Sequence, residues 1–158
     1  MQQQGDDPRE ILLAAVQQDG DKLRLAAKTR KADREIVLAA VQQSGLALEF
    51  AAVPLTADRQ IVLAAVQQNG RALQYAATPL TADREIVLAA VQQNGGALQY
   101  AATPLTGGRL QADVEVVLTA VKAAGGDALK HASRELQDDA FLQRLAAEAG
   151  RPTRLRAL

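Results

Sequence analysis

The apolar positions of this chain come in a block that is written again and again. Residues 58–70 read DRQIVLAAVQQNG and residues 83–95 read DREIVLAAVQQNG. Placed at 100° steps, Ile61, Val62, Leu63, Ala65 and Val66 cover a wide apolar arc, with Gln60, Ala64 and Gln67 opposite. This pattern predicts a helix of about 12 residues. Asp58 or Thr56 is a candidate N-cap, and Thr81 or Asp83 serves the same purpose one block later. In the first block Asp7 can cap, Pro8 suits the first helical position, and Glu10 stands three residues after the cap.

Each block ends at a glycine. Gly20, Gly45, Gly70 and Gly95 fall 25 apart, Gly125 arrives five residues late after the insertion GGRLQ (107–111), and Gly150 follows 25 later. Asn69-Gly70 and Asn94-Gly95 read as helix stops in which glycine takes the left-handed conformation. A hairpin turn at Asn-Gly is rejected because no period-2 alternation flanks it. After the glycine, RALQYAA (71–77) predicts a second helix of about seven residues. Ala72, Leu73, Ala76 and Ala77 lie on one face, Arg71, Gln74 and Tyr75 lie at the other edge, and Thr78-Pro79 ends the run.

A seven-residue helix is unstable alone and must be held by neighbours. The expected fold is therefore all-α: an α-solenoid of helix-turn-helix repeats stacked about 10 Å apart. The units fall at about residues 8–32, 33–57, 58–82, 83–112 and 113–137. A capping helix follows at 138–150, carrying Arg144 and Glu148 where inner helices are apolar, and then a basic tail at 151–158.

Composition narrows the function. Of 158 residues 48% are hydrophobic but only 3% aromatic, which suits close packing of small side chains on helices. Cysteine is absent, so disulfides, thiolate chemistry and cysteine-bound zinc are excluded. Setting aside Arg151, Arg154 and Arg156 of the tail, 15 basic residues face 18 acidic ones, a net charge of −3. That argues against a phosphate-binding body. The start of the chain has no signal-peptide core and no apolar run nears membrane length, so a soluble, intracellular protein is expected.

No residues assemble into a catalytic motif, and neither an enzymatic activity nor a cofactor or metal is expected. His131, the single histidine, falls in the slot of Leu25, Phe50, Tyr75 and Tyr100 and reads as a packing residue. Asp33, Asp58, Asp83 and Asp113 read as helix starts rather than metal ligands.

Two stripes are candidates for binding. The first runs along the outer face of the first helices. It comprises Glu10, Ala14 and Gln17; Glu35, Ala39 and Gln42; Gln60, Ala64 and Gln67; Glu85, Ala89 and Gln92; and Glu115, Thr119 and Lys122. Its row of glutamates predicts a negative groove floored by alanine, suited to a protein or peptide segment with net positive charge. The second stripe is Phe50, Tyr75, Tyr100 and His131, whose rings read first as seals between layers. The expected function is a non-catalytic scaffold that binds a protein or peptide. A nucleic-acid-binding array and a spacer within a larger effector are the alternatives.

The signature D-R-[EQ]-I-V-L-A-A-V-Q-Q-[SN]-G-x-A-L-x-[FY]-A-A resembles a family of tandem helical repeats classed as a domain of unknown function, found in bacterial host-directed effectors and in protists. The likeness is close over residues 33–102 and looser over 8–32 and 113–133. It implies a helical fold and carries over no catalytic residue. LTADREIVLAAVQQNGGAL also resembles the first helix and loop of transcription-activator-like effector repeats. That family has a longer unit and a Lys-Gln pair beside its loop, which this chain lacks.

Overall fold

The computed structural model describes residues 7–101 and 113–149, and they form an all-α stack with no strand among them. The insertion at 107–111 and the tail at 151–158 lie outside the described residues. Five parallel layers are led by α1 (Pro8–Gln18), α2 (Arg34–Gln43), α4 (Arg59–Gln68), α6 (Arg84–Gln93) and α7 (Val114–Ala124). Short helices α3 (Val53–Thr56) and α5 (Thr78–Thr81) connect them, α8 (Gly126–Leu129) and α9 (Arg134–Gln137) follow α7, and α10 (Ala140–Ala149) closes the stack over α7 and α8.

Each leading helix starts where its aspartate can cap it. Asp58 Oδ1 accepts from Gln60 N–H at 2.9 Å and Ile61 N–H at 3.2 Å, and Asp33, Asp83 and Asp113 repeat the arrangement. Thr56 and Thr81 do not cap these helices; their hydroxyls donate to the carbonyls of Val53 and Thr78 three residues back. In the first layer Asp7 accepts from Arg9 N–H at 2.9 Å with Pro8 in the first turn. The buried positions repeat in register. Ile36, Val37, Ala40 and Val41 have the same places as Ile61, Val62, Ala65 and Val66, and all eight are fully buried. The core is a column of such quartets, with Leu23, Leu48, Leu73 and Leu98 from the following turns between them.

The second half of a unit differs from the expected seven-residue α-helix. In the first four layers it is a six-residue 3₁₀ helix, as in Gly45–Phe50, Gly70–Tyr75 and Gly95–Tyr100, entered from an extended residue; in the fifth it is the four-residue α-helix Gly126–Leu129. Asn69 and Asn94 hold that entry, each side-chain oxygen accepting from the N–H two residues on. A 3₁₀ segment rises about 2.0 Å per residue, against 1.5 Å in an α-helix, so six residues reach further across the layer. The run then ends in an extended alanine, Ala51 or Ala76, ahead of the proline. Pro54 and Pro79 do not stop a helix but open a third, four-residue one, where a missing N–H costs nothing. This third segment also joins layers: Ala52 N–H donates to the Lys31 carbonyl at 2.8 Å and Ala77 N–H to the Thr56 carbonyl at 2.9 Å.

The glycines need a different explanation from a left-handed stop. Among the described residues only Gly125 has positive φ, at 63° with ψ −142°, which is not the left-handed helical region. Gly20, Gly45, Gly70 and Gly95 are fixed by contact. A Cβ on Gly70 would sit 2.2 Å from the carbonyl oxygen of Ala90 in the next layer, and Gly20, Gly45 and Gly95 meet Ala40, Ala65 and Ala120 in the same way at 2.2–2.3 Å. The opposing atom is helix backbone and cannot swing aside.

Alanine tests the close approach without a bulky probe. Gly70→Ala is expected to destabilise the chain by about 1–3 kcal/mol, the usual cost of overpacking. A Cβ on Gly126 would meet nothing within 4 Å, so Gly126→Ala should be neutral or stabilising by up to about 1 kcal/mol. Denaturant titrations of the two variants check this; equal effects would show that the seam does not rest on close approach.

Candidate functional site

The outer face of the leading helices carries the first candidate stripe. Gln42, Gln67, Gln92 and Lys122 are exposed, while Ala39, Ala64, Ala89 and Thr119 between the layers are half-buried. Ala14, in the first layer, is exposed. The carboxamides of Gln42, Gln67 and Gln92 bond to none of the described residues, so donors and acceptors stand free on one rail. Beside them, Gln68 leans back on the preceding layer, with long contacts of 3.4 Å to the Gln43 carbonyl and 3.5 Å from Gly45 N–H.

The glutamates of this stripe do not form a free negative row. The first four leading helices carry an arginine in their first turn, and that arginine reaches the next layer. Arg9 Nε donates to Asp33 Oδ2 at 2.7 Å, and its Nη2 donates to Glu35 at 2.6 Å. Arg34 meets Asp58 at 2.9 Å and also Gln60; Arg59 meets Asp83 at 3.1 Å and also Glu85; Arg84 meets Asp113 at 2.8 Å and also Glu115. Three of the four glutamates are thus matched by a cation from the preceding layer. Among the described residues no layer precedes Glu10, and it bonds to none of them.

This ladder was readable in the sequence. An arginine at 9, 34 and 59 is followed 24 and 26 residues later by the acid or amide that it contacts. The pairing was obscured because Arg and Glu are adjacent in the chain, so they look like mixed charge on one helix.

Each aspartate turns Oδ1 to its own helix and Oδ2 to the neighbour's arginine, whose Nη2 also reaches Oδ1 at Asp33 and Asp113. At Asp33 and Asp113 the arginine hydrogen bond is the largest influence, and it holds the carboxyl below the usual carboxylate range. At Asp58 and Asp83 partial burial acts in the opposite direction. It is outweighed by the bonds from arginine and the helix N–H groups, so these too are lowered.

The second stripe lies on the edge formed by the 3₁₀ helices. Phe50, Tyr75 and Tyr100 are half-buried and pack against the core, with His131 half-buried at the equivalent place in the fifth layer. The Tyr75 hydroxyl is pushed to higher pKa, first by burial and then by the carboxylate of Glu49 in the preceding layer. One concavity of about 400 Å³ opens on this edge, lined by Asp21, Arg24, Leu46, Glu49 and Phe50. Another of about 180 Å³ lies between Gly126, Leu129, Lys130, Gln137 and Gln143. Among the described residues no three of His, Asp and Glu converge as metal ligands. No helix among them is long and apolar enough to cross a membrane.

The aspartates give the fold an acid limb whose sign follows from the lowered values. Below a pH of about 4 the unfolded chain takes up protons that the folded chain still excludes, so stability falls as pH falls. The contribution is complete above the ordinary carboxylate value and is lost as pH drops through the lowered ones. Converting Asp58, Asp83 and Asp113 to Asn keeps a capping oxygen and removes the charge. Between pH 5 and pH 2 the midpoint of thermal unfolding should then fall less steeply than in the parent chain. An unchanged slope would place the acid sensitivity elsewhere.

Comparison with known proteins adds the family. No curated protein matches the chain, and no solved structure does. The family model described as "Domain of unknown function (DUF4116)" matches twice in tandem, over residues 9–55 and 58–106, each match spanning two of the layers. Together the matches take in more than half of the 158 residues, and the chain belongs to this family of repeated helical domains.

Proposed function

We propose that the chain is a non-catalytic scaffold that binds a protein or peptide segment along the amide rail of its leading helices. The observation that carries this reading is the row Gln42, Gln67 and Gln92. These side chains are exposed and unbonded to the described residues, one per layer, beside half-buried alanines that let a ligand backbone come close. A carboxamide both donates and accepts, so it can pair with either group of a peptide unit. Packed helices lie about 8–10 Å apart, and an extended chain advances about 10 Å in three residues. A segment laid along the rail would meet one glutamine at every third residue.

The arginine ladder changes the expected partner. Arg9, Arg59 and Arg84 are each shared between an aspartate and a glutamate, so these three rungs keep a net charge of −1 and attraction to a basic segment is weakened, not removed. Recognition on this face would rest chiefly on neutral hydrogen bonds, with a modest dependence on salt.

A random peptide library panned on the full chain tests the proposal. Gln42, Gln67 and Gln92 changed together to Ala should leave helicity and unfolding intact, since exposed changes usually cost less than about 0.5 kcal/mol each. Enriched peptides should bind this variant about tenfold or more weakly, three neutral hydrogen bonds being lost at about 0.5–1.5 kcal/mol each. Unchanged affinity, or affinity that collapses on adding salt, would overturn the amide rail as the binding face.

A further inference from the structure

Among the described residues, α1 at one end of the stack has no layer over it. Aligned on the glycines, Ile11, Leu12 and Ala15 of α1 correspond to Ile36, Val37 and Ala40, which are fully buried beneath the preceding layer. Nothing described precedes α1. Ile11 is 54% exposed and Leu25, in the slot of Phe50, is 74% exposed. With Pro8, Leu12, Ala15 and Lys22 they line an apolar concavity of about 300 Å³. At the other end α10 covers α7 and α8 and buries Leu142 and Ala146.

We propose that this open end is a self-association surface, on which two copies of the chain meet face to face about a two-fold axis with their α1 helices antiparallel. Two features select that occupant. The first is the ladder register. Asp7, the cap of α1, lies one residue earlier than Asp33, Asp58, Asp83 and Asp113, with Pro8 in their place, and it already faces Arg30 at 3.9 Å, so the arginine of a further repeat stacked in the usual register would not meet its carboxylate at the usual position. A head-to-tail copy would have to present α10, whose outer side carries exposed Arg144 and Glu148 in place of a glycine seat. The second is charge. Glu35 reaches back toward Arg9 of the preceding layer, so Glu10 is directed by register toward the missing layer. Lys22 lies past the other end of α1, on the rim of the concavity, with only a 3.8 Å contact to Asp19. Antiparallel α1 helices place Glu10 of each copy opposite Lys22 of the other, twice over, around a centre of Ile11, Leu12 and Leu25. Such an isologous contact closes on itself and stops at a dimer.

The end face is one helix and one turn wide. It is smaller than the roughly 800 Å² per partner of standard stable interfaces, so the dimer should be weak, with Kd about 10–100 μM. Sedimentation velocity of the full chain over that concentration range is the test. A reversible monomer–dimer equilibrium is expected. Leu25→Asp and Ile11→Glu, both at exposed positions, should keep the circular dichroism of the parent and weaken the dimer about tenfold or more. Lys22→Glu should weaken it several-fold, and Lys22→Glu combined with Glu10→Lys should restore it. A chain that stays monomeric at all concentrations overturns the proposal, as does a dimer indifferent to Leu25→Asp. A monomer that dimerises only after residues 1–6 are removed shows a face closed by its own chain, and also overturns it.

Discussion

Everything in this stack depends on how closely one layer approaches the next, and a bare Cα over a helix carbonyl sets that approach. At the four described seams the glycine lies where a Cβ would come within 2.2–2.3 Å of the carbonyl oxygen of Ala40, Ala65, Ala90 or Ala120. Both partners are the smallest that their positions allow. With the backbones so close, β-branched Ile and Val at the adjoining helix positions fill the remaining space, and the column of Leu23, Leu48, Leu73 and Leu98 is sealed from water. The backbone bonds from Ala52 to Lys31 and from Ala77 to Thr56 require the same spacing. A wider seam would lose them all together.

The aspartates tie that spacing to the start of each helix. One carboxylate oxygen organises the first turn of its own helix while the other receives the arginine of the preceding layer. Local helix formation and contact between units are therefore parts of one arrangement, which is the coupling that makes an array cooperative where single repeats would fail. The ladder also has ends. At the first layer the capping aspartate is Asp7, one place earlier, with Pro8 in the usual position, and Val114 removes the donor at the fifth. Beyond Val114, Asp139 caps α10 with both of its bonds going to Oδ1, and the described residues provide no arginine for it.

Much of this was legible from the 25-residue period: the helical class, the buried quartets and the aspartate caps are all written in the order of the letters. What was misread had a partner at long range. Glycine after Asn69 or Asn94 satisfies a left-handed stop and a close contact equally well, and only the carbonyl 20 or 25 residues away decides between them. The segment after Gly70 looks α-helical because Ala and Leu favour that state. An extended Asn69 before it and an extended Ala76 after it instead confine it to six residues, which close as 3₁₀ turns. Pro79 marks a boundary from either side, and its role as an opener depends on the four-residue helix that follows. Glu35 and Glu85 appeared to form a bare acidic row because the arginines that reach them belong to the previous unit. Helix-wheel reasoning within one unit cannot see such pairs.

Once the seams have claimed their residues, few positions per unit remain, and they are of two kinds. The rail is uniform, with Gln17, Gln42, Gln67 and Gln92 at one exposed place. The 3₁₀ edge is not: the place after the glycine holds Asp21, Leu46, Arg71 and Gly96, and the place before the aromatic holds Arg24, Glu49, Gln74 and Gln99. On the proposed reading these two kinds divide the work of recognition. A uniform rail adds one similar contact per layer, so affinity grows with the number of layers engaged. Used alone it would let a segment slide by one layer at no cost. A row that changes from acid to leucine to arginine makes each slip a mismatch, which is how a repetitive surface could hold a partner in one register.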